Sequence, residues 1–415
     1  MRPSRKLRSA LRAGGRFCAL WVVLSGLNAL AQDSLVLKVG KAFLGDGRRL
    51  NQARIVIRDG RIVSVGKAEG SAEPRGSRTV DFPDGVATPG FIAANAWTAS
   101  YGDAQEEGQE VTPEINLDRS IDPAAADLEN AWRSGVTCVY LAPGHRNVFG
   151  GTGTVLKTAG PSLAERLVRN VVHLRATLGP EPASGNAKPY YGDFGMRTRR
   201  PQNRMGVDAI FREELARVRD LASVGDADLG VRETIFRRVL RRDLPLRIRA
   251  RSYMDIKAAL RLQDEFGFTW VLEDGTDAYR YLDELKARGI PVVYGPVYRP
   301  KGRADFNAEN DRWMIQTPRL LAEKGILFAF QNDASSPLWE LRDDVIFAVC
   351  SGLDPGAALT ALTSSAAAIL GVGDRLGTLA PGKDADILIF SGEPLDPHSR
   401  LIKVLIGGRL MDPNE

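Results

Sequence analysis

A chain of 415 residues with 44% apolar and 26% charged side chains holds enough material for one large domain with a smaller one appended, and this balance excludes the disordered and fibrous classes. The formal charge of +5 is not spread evenly: Arg2, Arg5, Lys6, Arg8, Arg12 and Arg16 supply six positive charges before the first acid, Asp33, so the chain without residues 1–31 carries −1. A near-neutral remainder excludes a nucleic-acid binder that works by bulk positive charge.

The basic stretch is followed by an apolar run from Phe17 to Leu30 and by Ala29-Leu30-Ala31, a small-x-small site before Gln32. This is the order of a secretory signal, so residues 1–31 are expected to be a Sec-type signal peptide and the mature protein periplasmic or secreted. The apolar run is short for a membrane span; retention as an anchor is the alternative. Cys18 leaves with the signal, and Cys138 and Cys350, in apolar surroundings, are expected to be two buried thiols rather than a disulfide.

Residues 32–88 read as short strands and tight turns: Arg54–Arg58 and Arg61–Val65 flank Asp59-Gly60, a strong hairpin signal. From 89 to 370 apolar strands (Val136–Leu141, Leu246–Ile248, Thr269–Leu272, Pro291–Tyr294, Ile326–Phe330) alternate with amphipathic helical stretches, which predicts parallel βα units. Strands return in 371–415. The economical architecture is α/β, a (β/α)8 TIM-like barrel over 89–370, with 32–88 and 371–415 meeting in one small β-sandwich. The fifteen arginines between 197 and 251 are interspersed with acids, and Val231–Leu240 has its apolar residues at helical spacing, so most of these charges are expected on a solvated helix face.

Three segments carry a resemblance: Val86-Ala87-Thr88-Pro89-Gly90-Phe91-Ile92; Gly135-Val136-Thr137 through Pro143-Gly144-His145-Arg146-Asn147-Val148-Phe149-Gly150-Gly151-Thr152-Gly153, with Lys157 beyond; and Gly377 to Arg409 with its Pro-Gly-Lys-Asp-Ala-Asp turn. Together they resemble the amidohydrolase superfamily, in its exported imidazolonepropionase-like and prolidase-like branch. The resemblance implies a hydrolase of non-peptide carbon–nitrogen bonds or small dipeptides. It also implies one or two divalent metals held by histidines on the first, fifth and sixth strands and by an aspartate on the eighth.

At those positions this chain departs from the family. The first histidine pair falls on Asn95 and Trp97, and the fifth-strand pair on Arg249 and Arg251 in Arg247-Ile248-Arg249-Ala250-Arg251. The sixth-strand position falls in Glu273-Asp274-Gly275, and only Asp333 is retained, at the position of the family's general base. Arginine stays protonated and has no lone pair to donate, and neither Asn95 nor Trp97 replaces an imidazole. No cofactor is therefore expected, and metal-dependent catalysis is expected to be lost.

The three remaining histidines have no partner at ligand spacing. His173, after the helical-looking stretch 169–172, and His398 read as surface or hydrogen-bonded residues, while His145 lies in a loop of the kind that builds barrel active sites. Three readings of the altered site stay open. Arg249 and Arg251 can pair with Asp274 and Asp333 and fill the hole. They can instead bind a small anion beside Trp97, with His145, Lys157 and Asn95 lining the place. Metal-free hydrolysis with Asp333 or Asp274 as base is the third, opposed by the neighbouring arginines, which depress carboxylate pKa values. A homo-oligomer, or pairing with an active relative, is compatible with each.

Overall fold

The computed structural model describes residues 34–68, 74, 76–99, 104, 106–186, 199–297, 314–332 and 337–415. The expected signal peptide of residues 1–31 and the retained Asp333 lie outside the described residues.

Four strands come first: β1 (Ser34–Phe43), β2 (Arg49–Arg58), β3 (Arg61–Lys67) and β4 (Arg78–Pro89). Asp59 and Gly60 close the β2–β3 hairpin with φ of 52° and 75°, the left-handed pair that matches the twist of adjoining strands. Next, β5 (Phe91–Ala96) and β6 (Val136–Leu141) pair in parallel. The short β7 (Phe149–Thr152), β8 (Thr154–Lys157) and β9 (Leu167–Arg169) follow, antiparallel to the strands they pair with. Then β10 (Leu174–Thr177), β11 (Leu246–Ala250), β12 (Trp270–Asp274), β13 (Val292–Tyr294) and β14 (Phe328–Phe330) pair in parallel succession. The chain ends with β15 (Ile387–Phe390), β16 (Leu401–Ile406) and β17 (Arg409–Met411).

The helices between the later strands follow from local sequence. In Tyr253–Phe266, Ser252 accepts a hydrogen bond from the amide of Asp255 as N-cap, Ile256, Ala259 and Leu260 form the buried stripe, and Gly267 ends the helix in the left-handed conformation at φ 73°.

The barrel is less regular than the sequence predicts. Among the described residues its strands form two sheets, β14-β13-β12-β11-β10-β7 and β5-β6-β8-β9, with no ladder closing them into one barrel. The two meet where the amide of Asn332, just past β14, donates to the carbonyl of Asn95 on β5 at 3.3 Å. The irregular part is the glycine-rich loop, where the backbone lies too close to its neighbours for a side chain: a Cβ on Gly151 would meet Ile115 O at 2.0 Å, and one on Gly153 the Tyr140 hydroxyl at 2.3 Å. Inside, Ile92, Ala94, Cys138, Tyr140, Val271, Val293 and Ala329 make one core cluster. Alternate residues such as Val139, Leu272, Val292 and Phe328 join a second cluster with the helices, the two-residue period of strands apolar on both faces.

The chain's two ends do combine, in a single seven-stranded sheet, β17-β16-β15-β4-β1-β2-β3, rather than in the two sheets of a sandwich. The ladder is continuous because β4 pairs with β1 on one side and β15 on the other. Leu388, Phe390, Val404 and Ile406 face the main core. Leu37, Ile55, Ile387 and Ile389 on the other face build a core of their own.

Candidate functional site

Arg247 and Arg249 are two residues apart on β11, and Arg251 lies two residues past Arg249, just beyond the strand's end, so the period of an extended strand carries all three to one face. That face is the barrel interior: on the parallel neighbours, Arg175 stands opposite Arg247 and Glu273 opposite Arg249. Glu273 and Asp274 are consecutive and would point to opposite faces of a regular strand. Asp274, however, has φ 65° and is followed by Gly275 at 54°, a left-handed turn that aspartate tolerates better than most residues. Both carboxylates therefore reach the arginines.

The result is a two-layer ion cluster. In the deeper layer Glu273 accepts from Arg175 Nη2 through one oxygen and from Arg247 Nε at 2.7 Å through the other. Arg247 also donates to Ala94 O at 2.5 Å and stacks over the Tyr140 ring at 4.7 Å, while Arg175 donates to Asn95 Oδ1 at 3.3 Å. Arg247 is 0% exposed and Glu273 1%, so this layer is shut off from water. Nearer the mouth, Arg249 Nε donates to Asp274 Oδ2 at 2.6 Å, and Asp274 Oδ1 accepts from Gln331 Nε2. Arg251 Nε lies 3.6 Å from Asp274 Oδ2, and Glu181 stands 3.8 Å from Arg249 and 4.0 Å from Arg251.

Electrostatics follow from this arrangement. Burial opposes the charge on Arg249, but the carboxylates of Asp274 and Glu181 outweigh it and raise the guanidinium pKa. His145 is half-buried, its ring 5.5 Å from that of exposed Trp97. Burial, then the charges of Arg249 and Arg175, hold the His145 imidazole well below its ordinary pKa and keep it neutral. Arg249 is 5% exposed, and among the described residues its Nη1 has no hydrogen-bond partner.

Of the residues singled out by sequence, Asn95, Arg249, Arg251 and Asp274 come together, with Trp97 and His145 beside them. Lys157 does not join them. It stands opposite Cys138 near the start of β6, away from the strand ends that form the mouth, and bonds Asp384 and Asp386 at 2.9 Å each. The two carboxylates raise its pKa against the opposing effect of burial. His173 is not at the surface: stretch 167–169 is a strand, and the ring is 3% exposed against Tyr140. His398 is exposed, 3.1 Å from Asp396. Cys138 is buried but Cys350, ending a helix, is exposed. Sequence reading missed Arg175, Arg247, Glu273, Glu181 and Gln331. Arg247 was legible, being one strand period before Arg249; the four-residue β10 gives no pattern that marks Arg175.

The metals implied by the family can be tested against these side chains. The guanidinium groups offer no lone pair, and both oxygens of Asp274 are already taken by Arg249 and Gln331. Among the described residues no group of three histidine, cysteine or acidic side chains is placed to hold a metal ion. The described donor set does not fit a divalent centre.

Comparison with known proteins bears on the family. Residues 307–411 match the model of the Amidohydrolase family. The amidohydrolase tasK of Hapsidospora irregularis is 25% identical over 346 residues, 74% of this chain but 33% of that protein, so this chain spans a third of that relative's length. An imidazolonepropionase of Thermoanaerobacter pseudethanolicus is 22% identical over 84% of this chain and 86% of its own. Among solved structures, an amidohydrolase from Thermotoga maritima is 28% identical and superposes with a TM-score of 0.82, covering 91% of this chain and 99% of that one. A Xaa-Pro dipeptidase, 18% identical, superposes at 0.58 over 92% and 100% and shares the fold. With the TIM-barrel-like fold and the joined terminal sheet, these likenesses support the placing of the chain in the amidohydrolase superfamily.

Proposed function

We propose that this protein is an exported member of its superfamily in which an arginine–carboxylate cluster replaces the metal centre, and that the mouth of the cluster binds a small anionic molecule through Arg249 and Arg251. The deeper layer, Arg175–Glu273–Arg247, acts as a filler: its one carboxylate bonds both guanidinium groups, and Arg247 and Glu273 are shut off from water. The outer layer is the recognition site. The observation that carries the reading is Arg249, almost wholly buried, with one guanidinium nitrogen bonded to Asp274 and with Nη1, 3.8 Å from Glu181, making no hydrogen bond among the described residues. An unbonded buried donor costs about 1–3 kcal/mol, which a carboxylate or phosphate oxygen would recover through a charge-assisted bond. Trp97 and His145 offer a planar wall beside it.

Thermal denaturation with phosphate, succinate and acetate tests this. At least one of these anions is expected to raise the melting temperature by several degrees in the wild type and not in Arg249→Gln or Arg251→Gln. If no anion stabilises the wild type, the outer layer is filler like the inner one and the recognition reading fails.

A further inference from the structure

A separate cleft of about 320 Å³ lies at the rim, between the Arg204–Asp220 helix and the Tyr253–Phe266 helix, below the chain leaving β10. Met254, Ala258 and Arg261 line it from one helix at a spacing of four and then three residues, which puts them in one stripe. Met205 and Val207 come from the other helix, and Leu178, just past β10, completes the apolar lining. Met205 is 76% exposed and Met254 41%, uncommon for large apolar side chains, whereas Leu178 and Val207 are buried.

The charges in this cleft differ in their availability. Arg204 donates to Asp255 at 2.8 Å, and Asp255 also accepts from Ser252 Oγ at 2.7 Å. Asp208 accepts from Arg212 Nε at 2.8 Å, and its other oxygen is closed to solvent. Arg261 is exposed and has no hydrogen-bond or ion-pair partner among the described residues. The cleft also opens on the first turn of a 17-residue helix, whose N-terminal amides favour negative charge. An apolar trough with one open cation has the composition of a small-ligand site.

We propose that this cleft binds a monoanionic amphiphile, of which a medium-chain carboxylate is the simplest, with the head group on Arg261 and the chain between Met205 and Met254. This site is distinct from the barrel mouth, where two arginines share two carboxylates and the wall is aromatic.

Calorimetric titration of the full chain with hexanoate, hexanol and acetate tests the proposal. Hexanoate is expected to bind at least about tenfold more tightly than either of the others, since chain and head group both contribute. Arg261→Gln, a change at an exposed side chain, is expected to bring hexanoate down to the level of hexanol, and Met205→Glu to abolish binding, with far-UV circular dichroism unchanged in both. Hexanoate no better than acetate, or unaffected by Arg261→Gln, overturns the proposal. Loss of hexanoate binding in Arg249→Gln but not in Arg261→Gln would overturn it too, by moving the ligand to the barrel mouth and leaving the mouth reading intact.

Discussion

Among the described residues Glu273 is the only carboxylate paired with Arg175 and the only one paired with Arg247. Replacing it by glutamine leaves two buried guanidinium groups without a counter-charge, and breaking a buried pair from one side costs about 3–5 kcal/mol. Urea denaturation of Glu273→Gln is expected to show a loss of that size; a change below about 1 kcal/mol would mean that water or another acid serves the arginines. His173 gives a pH signature. Burial, then the charges of Arg247 and Arg169, hold its imidazole well below the ordinary 6.5. Below pH 6.5 the unfolded chain takes a proton that the folded one refuses, so this contribution is complete above that pH and declines as the pH falls, by about 1.4 kcal/mol per unit. Denaturation at pH 7.5 and pH 5.5 checks it, with greater stability expected at 7.5 and a shallower difference in His173→Gln. At this scale the sequence was informative where a period existed. Arg249 and Asp274 were legible as replaced ligand positions, but that Asp274 would turn inward beside Glu273 depended on a left-handed backbone at Asp274 that residue type alone does not dictate.

The βα alternation from β11 to β14 was legible because each strand holds a short apolar run set between amphipathic stretches, and the β2–β3 hairpin because Asp59-Gly60 has one strongly preferred turn. The stretch 149–169 was not legible. Its strands are three or four residues long, and glycines that read as loop signals serve in close approaches between backbones. Gly151 illustrates this: a methyl group there meets a backbone carbonyl at 2.0 Å, which no side-chain rotation relieves. Gly151→Ala is expected to lower stability by about 1–3 kcal/mol, the usual cost of overpacking. An unchanged melting temperature would show that this loop adapts and does not fix the mouth.

At the scale of the molecule, the Pro-Gly-Lys-Asp-Ala-Asp turn joins the terminal sheet to the barrel. Asp384 and Asp386 both grip Lys157 on β8, Arg375 adds a 2.7 Å bond to Asp384, and the amide of Gly407 donates to Asp386 at 2.7 Å. The motif could be recognised from sequence, but its partner could not: Lys157 read as a mouth residue because it follows the glycine-rich loop, and the antiparallel course of β8 carries it to the other end. Lys157→Met is expected to cost about 3–5 kcal/mol by stranding two buried carboxylates, and a stability within about 1 kcal/mol of wild type would show that Arg375 and Gly407 suffice.

If charged side chains of the protein itself take the place of the superfamily's metals, the purified protein holds no tightly bound divalent ion. Metal content tests it most directly, measured by mass spectrometry on protein purified without chelator and then dialysed against zinc and buffer. Well below one divalent ion per chain is expected before and after exposure to zinc, whereas one or more tightly held ions per chain would mean that a metal site persists.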